Sequence, residues 1–568
     1  MILKPNELIT LACTNRRMYA SCMSLLYRDL FISSCEEEEQ KIFAAMPCLI
    51  AFGRNTHHVR KLTFGPVELH YYYNCMLAHE TINSLLSDQP NTRPPRPQWL
   101  PPPDNNSRSV VPLPTITNLR HLHLTDESLL GNSMGANPLE DCPYQLSDET
   151  DHITIVAAFC WLVLLNSRLR HLESGYDALM EPLGGRLFAL AIAKLPLLMT
   201  LDITICRRKE QQFETGSSIF FSLCPSIRKF IVQFDEEYAE ASGATSALGG
   251  FPGYPDWMAE TRRQEPLWNL EELQFWDIDG GVSTDDILPI FAHCPNIEIL
   301  HFPRLSKRHD HMAIGAFIGK ECPKLRSLTF GQGNTEMEVE GPLLTEVMNT
   351  LRAQQVESIF FYGSYVALTK SSITLAALRH SITLHSVHIE WTGQLVNISI
   401  AAMLEECINL ESLFIFCHDL TGNWIGLSVS LDDLLDRPWN VTKLTNLTLG
   451  ITGIAMPDYP GKQHYHTRYI PITFTDLERE HFSRVEELYR RIGTLTKLTQ
   501  LELDVVAMAD DGRADRLPAK EARYYTQLAA RGVATGLPDF NRHLVDLSKR
   551  ESYRTPFYEN FRVDMNYF

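Results

Sequence analysis

The side chains able to do chemistry are plentiful in this chain, but few of them stand at the spacings that chemistry requires. One string, Gly131-Asn132-Ser133-Met134-Gly135, has the G-x-S-x-G form of a nucleophile elbow. Such an elbow needs a strand running into its first glycine and a helix leaving its last. Here a polar stretch precedes it and Ala136-Asn137-Pro138 follows, which breaks a helix, so Ser133 is read as part of a glycine-rich loop. No G-x-x-x-x-G-K-[ST] loop, G-x-G-x-x-G fingerprint or H-E-x-x-H helix occurs, which removes the usual entry points to phosphate cradling and zinc proteolysis. The 13 cysteines are odd in number, scattered and never in a C-x-x-C pair. That pattern argues against a disulfide framework and a zinc site, and implies a reducing compartment. His121, His123, His301 and His388 have no carboxylate or cysteine pair at ligand spacing and read as surface donors. No catalytic residue, metal or cofactor is assigned, and no enzyme activity is expected.

The scaffold carrying these side chains is periodic. Cys322-Pro323-Lys324-Leu325-Arg326-Ser327-Leu328-Thr329-Phe330 has close relatives opening at Cys224, Cys294 and Cys407. Keeping only apolar-x-x-apolar-x-apolar gives further repeats opening at Val59, Leu119, Leu169, Leu198, Leu270, Val356, Leu384, Leu444 and Leu498. The Leu169 repeat is the poorest, because Ser174 stands where the third apolar residue belongs. Successive openings from Leu169 to Leu444 lie 26 to 43 residues apart, a beat that chance does not keep. The alternation inside each string is that of a short strand with one face buried, and the roughly 15 to 20 residues that follow suffice for a helix returning the chain to the next strand. Apolar segments at 153–165, 187–195 and 400–407 fall where such returns are needed. A length of 568 residues, too great for one compact core, suits an extended array.

This pattern resembles leucine-rich repeats, especially the cysteine-bearing type of F-box proteins and ribonuclease-inhibitor-like folds. The resemblance implies an α/β solenoid, with a curved parallel sheet on the concave side and helices outside. The family's asparagine, which follows the strand and hydrogen-bonds the turn, is mostly absent here, so the array is expected to be irregular. Ahead of the repeats, Asn6-Glu7-Leu8-Ile9-Thr10-Leu11-Ala12-Cys13-Thr14-Asn15-Arg16-Arg17-Met18-Tyr19 leads to Ser24-Leu25-Leu26-Tyr27-Arg28-Asp29-Leu30. This is similar to the second half of an F-box of the fungal type, in which L-x-x-L-A-x-x-C-R-R-x-Y precedes P-L-L-Y-R-x-L; the opening L-P-x-E-I helix of an F-box is not matched. The resemblance implies the substrate-recognition subunit of an SCF-type cullin-RING ubiquitin ligase, with Leu8, Leu11, Leu25 and Leu26 meeting the ligase adaptor. The alternative is a free-standing interaction scaffold, in which those leucines cap the open end of the solenoid.

The expected organisation is therefore a short helical segment at 1–33, a helical linker at 34–58, the solenoid at 59–504, and a cap with an aromatic tail at 505–568. Insertions are expected near 70–115, where Pro94, Pro95, Pro97, Pro101, Pro102 and Pro103 give an extended loop, and at 239–268, rich in Gly, Ala and Pro.

In such an array the third, fifth and seventh positions of each repeat face away from the core. These positions hold Trp276 in the Leu270 repeat, Phe360 and Tyr362 in the Val356 repeat, His388 and Glu390 in the Leu384 repeat, and Phe414 and Phe416 in the Leu410 repeat. Large aromatic side chains so placed mark a surface for a protein substrate. Two other accounts stand beside this one: the tail at 553–568 folds over them, or a register shift of one residue buries them. Acidic residues outnumber basic ones, 69 against 51, and a net charge of −18 repels a phosphate backbone unless a basic stripe offsets it. No such stripe is visible along the sequence, so nucleic acid is not expected as a partner. The apolar segment at 153–165 is too short to span a bilayer, and the first residues lack the order of a signal peptide. No membrane partner is expected, and the expected location is cytoplasm or nucleus.

Overall fold

The structure, a computed structural model, describes residues 11, 13–32, 54–66, 69, 70, 72, 73, 76, 115–125, 149–176, 179, 182–205, 212–234, 265–274, 283–302, 310–330, 342–362, 370–391, 397–417, 428–452, 483, 484, 487, 488, 490–492, 494–505, 507, 508, 514 and 515. The chain divides into an amino-terminal unit, Met1–Val282 with Ala292–Asn296, and a carboxy-terminal unit, Ser283–Phe291 with Ile297–Phe568.

In the amino-terminal unit each apolar string enters a short strand. These are β1 (Asp29–Ile32), β2 (Lys61–Phe64), β3 (His121–Leu124), β4 (His171–Ser174), β5 (Thr200–Ile205), β6 (Lys229–Phe234) and β7 (Glu272–Gln274). Each is parallel to the next and in the repeat's own register, so that Leu62 pairs with Leu122, Leu122 with Leu172 and Leu172 with Leu201. Parallel neighbours cannot be joined by hairpins. Helix α1 (Arg16–Leu26) leads into β1, while α2 (Glu149–Leu165), α3 (Pro182–Ile192) and α4 (Gln212–Ser222) return the chain from β3 through β6. The strand β1 is an added repeat: Leu30 pairs with Leu62, which sets Tyr27 in the opening position that Val59 holds next door.

The carboxy-terminal unit repeats the scheme with β8 (Ile299–His301), β9 (Ser327–Phe330), β10 (Ser358–Tyr362), β11 (Ser386–Trp391), β12 (Asn397–Ile398), β13 (Ser412–Cys417), β14 (Ser428–Ser430), β15 (Asn446–Thr452) and β16 (Gln500–Val505). The ladder of parallel pairs runs from β8 through β11 to β13, β15 and β16; β14 pairs with the last residues of β15, and β12 pairs with β14. Its helices are α5 (Thr284–Ala292), α6 (His311–Glu321), α7 (Pro342–Thr350), α8 (Lys370–His380), α9 (Ala401–Glu406) and α10 (Leu431–Asp436). Helices α6 and α7 approach closely enough that a Cβ on Gly319 would collide with the Thr350 side chain. Asp433 of α10 accepts from the Ile400 and Ala401 N–H groups, at 2.7 and 3.1 Å, and so caps α9.

The core follows the strings. Leu119, Leu122, Leu124, Leu198, Leu201, Ile203, Leu384, Leu410 and Leu413 are fully buried, each contributing about 1.5–3 kcal/mol of transfer free energy. The residues between them are mostly half-buried, as the alternating patterns of β3, β4 and β8 show. A parallel sheet covered on both faces reads as continuous apolar sequence; alternation means that helices cover one face of each unit's sheet. Ser174, in its apolar position, is buried and accommodated because its Oγ accepts from the Tyr176 N–H at 3.1 Å.

Polar side chains bind one repeat to the next just before each strand. Asn269 donates to the Pro225 carbonyl at 2.8 Å, Asn296 to that of Trp268 at 2.8 Å and Asn409 to that of Ile382 at 2.6 Å. Three residues before the opening apolar position comes a buried bridge. In the cysteine-bearing repeats it is a thiol: Cys224 Sγ lies 3.3 Å from the Leu198 carbonyl and Cys407 Sγ 3.8 Å from that of Ala377. At the Leu169 repeat it is Asn166, which donates to the Ile116 and Leu162 carbonyls at 2.9 and 2.8 Å and accepts from the Leu119 N–H at 2.9 Å. Burial pushes the Cys322 and Cys407 thiols up to about 12, so they are inert packing groups at neutral pH. The apolar segments expected as helical returns lie within α2, across α3 and the turn after it, and across α9. The proline-rich loop, Ser133, nearly all of the 239–268 insertion, most of the 34–58 linker and the tail at 553–568 lie outside the described residues.

Candidate protein-binding face

The fifth positions of the carboxy-terminal repeats line up across the strands. His301 pairs with Thr329, Thr329 with Phe360, Phe360 with His388, His388 with Phe414 and Phe414 with Thr448. Phe360, His388 and Phe414 form one row: the His388 and Phe414 rings are stacked at 4.1 Å, and Phe360 lies 6.0 Å from His388, tilted by 37°. The imidazole Nε2 is 3.2 Å from Glu390 Oε2, the carboxylate two residues along the same strand. The register is that of the repeat, since Ile359, Phe361, Leu413 and Ile415 are buried on the other side. A second aromatic row therefore runs through the core one position later, with Phe302 and Phe330 stacked at 4.5 Å and Phe330 and Phe361 at 5.3 Å. Tyr362 and Phe416 pair with Glu390 from either side by backbone register. Trp276 lies outside the described residues.

The amino-terminal unit fills most of the equivalent positions with ionisable groups, concentrated on β3 to β5. From β1 to β7 the third positions read Asp29, Lys61, His121, His171, Thr200, Lys229 and Glu272, and the fifth read Phe31, Thr63, His123, Glu173, Asp202, Ile231 and Gln274. Glu173 is the hub, 3.1 Å from His121 Nε2 and 3.8 Å from His123 Nδ1. The close approach of the His121 ring holds its carboxyl below the usual range. Burial, then the charges of Glu173 and Glu272, push Asp202 up to about 6 against the pull of Lys229. Burial lowers His123 and His171. Among the described residues, no group of His, Cys, Asp and Glu is arranged to hold a metal ion.

One expectation is corrected by the fold. The second positions, where strands begin, form a basic stripe that is invisible along the sequence, with Arg28, Arg120 and Arg170 exposed and Arg60 half-buried. The N–H of Arg60 bonds the Arg28 carbonyl, that of Arg120 the Arg60 carbonyl and that of Arg170 the Arg120 carbonyl, each at 2.8 Å. Four arginines thus stand on four adjacent strands, although insertions hold them far apart in the chain. Met199 follows, then Arg228 and Glu271. The signal available to sequence reading was positional: the residue after the opening apolar is arginine in repeat after repeat.

Of the four leucines assigned to an adaptor contact, Leu25 is 55% exposed on α1, beside exposed Met18 and Tyr19. Leu11 and Leu26 are half-buried, and Leu8 lies outside the described residues. Among the described residues no helix is long and apolar enough to cross a membrane. No family model and no curated protein matches the chain.

Proposed function

We propose that the chain is a leucine-rich-repeat solenoid that binds a protein partner over the face of its strands away from the core, with Phe360, His388 and Phe414 as the anchor. The row of these three rings, with His388 stacked on Phe414, carries the reading. A fold gains most by burying aromatic area in the core, as it does with Phe302, Phe330 and Phe361; a second aromatic row on the opposite face is the composition of a binding hot spot. The partner is a substrate presented for ubiquitination, and the chain is the recognition subunit of a cullin-RING ligase in cytoplasm or nucleus. Its contribution to rate is proximity alone, because holding substrate beside the transferring enzyme makes a bimolecular step local. Exposed Leu25, Met18 and Tyr19 on α1 supply the apolar area for the adaptor. The free-standing scaffold is kept as a second reading because α1 runs directly into β1, which pairs with β2, so the segment also serves as an end cap.

The test is retention of the cullin-RING adaptor by the full chain and by its Leu25→Asp variant. Deleting the first residues is a poor alternative, since it would strip β1 from the sheet edge. Retention by the parent and loss by the variant supports the ligase reading. No retention by either leaves the scaffold, and a Phe360→Ala/Phe414→Ala variant that captures the same cellular proteins as the parent would sink the aromatic anchor itself.

A further inference from the structure

The arginine stripe of the amino-terminal unit is not accounted for by stability. Like charges on adjacent strands, about 4.8 Å apart, repel rather than support one another. Where this row is stabilised internally, an arginine meets a glutamate on the neighbouring strand: Arg228 with Glu271 at 3.6 Å, and in the carboxy-terminal unit Arg326 with Glu357 at 3.3 Å. Arg60, Arg120 and Arg170 have no carboxylate within ion-pair distance among the described residues; Arg60 bonds only the His57 and Val59 carbonyls. Among the described residues Arg28 reaches only its chain neighbour Asp29, at 3.9 Å with both side chains exposed; Lys61 stands beside the arginines in the next row, and Glu271 and Glu272 bound the stripe at the other end. Glu173, on the strand that Arg170 opens, faces His121 and His123 at 3.1 and 3.8 Å.

We propose that this edge, Arg28, Arg60, Arg120 and Arg170, is a docking site for an acidic segment of a partner polypeptide, whose carboxylates take the place that Glu271 and Glu357 occupy along the same row. Guanidinium forks pair carboxylates in two-pronged fashion, and a file of them one strand apart fits a run of Asp and Glu side chains. The row's own counter-ions are carboxylates, and the cationic patch is short and flanked by acids in a chain of net charge −18. Both features favour a polypeptide over a nucleic-acid backbone, which asks for a longer uninterrupted basic track. The site lies wholly in the amino-terminal unit and does not rest on the aromatic anchor or on a ligase role.

The experiment is fluorescence anisotropy of a short labelled oligoglutamate peptide titrated with the full chain. An oligoglutamine peptide and a single-stranded oligonucleotide serve as comparators. Binding of oligoglutamate alone is expected, weakening as salt rises from ~0.05 to ~0.3 M because the contact is exposed. Arg120→Glu/Arg170→Glu should weaken it by roughly tenfold or more. Arg120→Gln/Arg170→Gln should weaken it less, and Arg326→Glu should leave it unchanged. Circular dichroism checks that each variant is folded, and the glutamine pair decides the matter if charge reversal disturbs the sheet. The proposal is overturned if oligoglutamate does not bind at low salt, if the glutamine pair binds it as tightly as the parent, or if the oligonucleotide binds in its place.

Discussion

From β1 to β4 the residue after the opening apolar position is arginine on every strand, whereas from β8 to β13 the same position reads Glu298, Arg326, Glu357, His385 and Glu411. The strand entries and backbone bonds are alike in both units; only the chemistry hung on them differs. In one unit carboxylates alternate with Arg326 and His385, so that like charges are never neighbours, and the face beside them is aromatic. In the other, like charges accumulate and the face is ionic, organised around Glu173. The comparison separates the positions that fold the chain, the opening, fourth and sixth of each repeat, from the second, third and fifth, where side-chain type varies between units, even though fifth residues such as Thr63, Ile231, Thr329 and Thr448 are buried. Two ways of closing the bridge before a strand also occur: Asn166 at one repeat, a thiol such as Cys224 or Cys407 at others.

The largest effect should come from moving one position along β9 and β13. Phe330 is the middle ring of the core row, buried between Phe302 and Phe361. Phe330→Ala should cost about 3–5 kcal/mol in urea unfolding, through lost burial and a cavity. Phe414→Ala, on the opposite face, should cost well under half as much while removing the anchor for the partner. Equal destabilisation by the two would mean that both rows are core and would end the division between folding and recognition positions.

Asn166 should come next. It is fully buried with three hydrogen bonds to the preceding repeat and to the end of α2. Asn166→Ala orphans the Leu119 N–H and leaves the Ile116 and Leu162 carbonyls short of a donor, so a loss of about 3 kcal/mol is expected. Cys407→Ala removes one long thiol contact and should cost about 1 kcal/mol. Matching losses would show that the thiol bridges as strongly as the amide.

The third effect depends on pH and belongs to the carboxy-terminal unit. His380 ends α8 fully buried, and its Nδ1 accepts from the Gln355 and Val356 N–H groups at 3.3 Å each, so its ring proton sits on Nε2. Burial, with a smaller push from Arg379, lowers its pKa from 6.5 to about 4. The folded value lies below the unfolded one, so between those values the unfolded chain binds the extra proton. The stabilisation is complete above pH ~6.5 and is lost as pH falls toward ~4, on the order of 2–3 kcal/mol. His380→Asn keeps an acceptor and removes the titration. Urea midpoints measured across that window should fall less steeply for the variant than for the parent, and parallel curves would refute the assignment.

The repeat was legible because burial every second residue must be written in apolar side chains: the strings at Leu119, Leu198, Leu384 and Leu410 each mark a strand. The aromatic row was legible for the same reason, since counting positions sufficed to bring Phe360, His388 and Phe414 onto one line. Three features escaped. Tyr27 opens β1 with an aromatic ring where an aliphatic opener was sought. Asn166 and His380 do bridging work through backbone groups of another repeat, and a side chain's partners across 24 to 50 residues leave no local pattern. The arginine stripe escaped because strand pairing, not sequence distance, sets neighbours; a charge count along the chain averages Arg60, Arg120 and Arg170 into an acidic background.

The smallest effect returns to the ionic face and carries the opposite sign of pH dependence. Asp202 is pressed among Glu173 and Glu272 with only Lys229 opposing, and its carboxyl is pushed from 3.8 up to about 6, burial being the chief cause. Its folded value exceeds the unfolded one, so its contribution is fully present below pH ~3.8 and is lost as pH rises through ~6; at pH ~7.5 its charge destabilises the unit. Asp202→Asn removes that charge while keeping the shape. The variant should gain on the order of 1 kcal/mol over the parent at pH ~7.5, read as a higher thermal midpoint, and nothing at pH ~4. A gain at both values would point to packing, and a loss at pH ~7.5 would show that the carboxylate is held there by a cation, so that the face is balanced and not an acidic surplus set beside a basic edge.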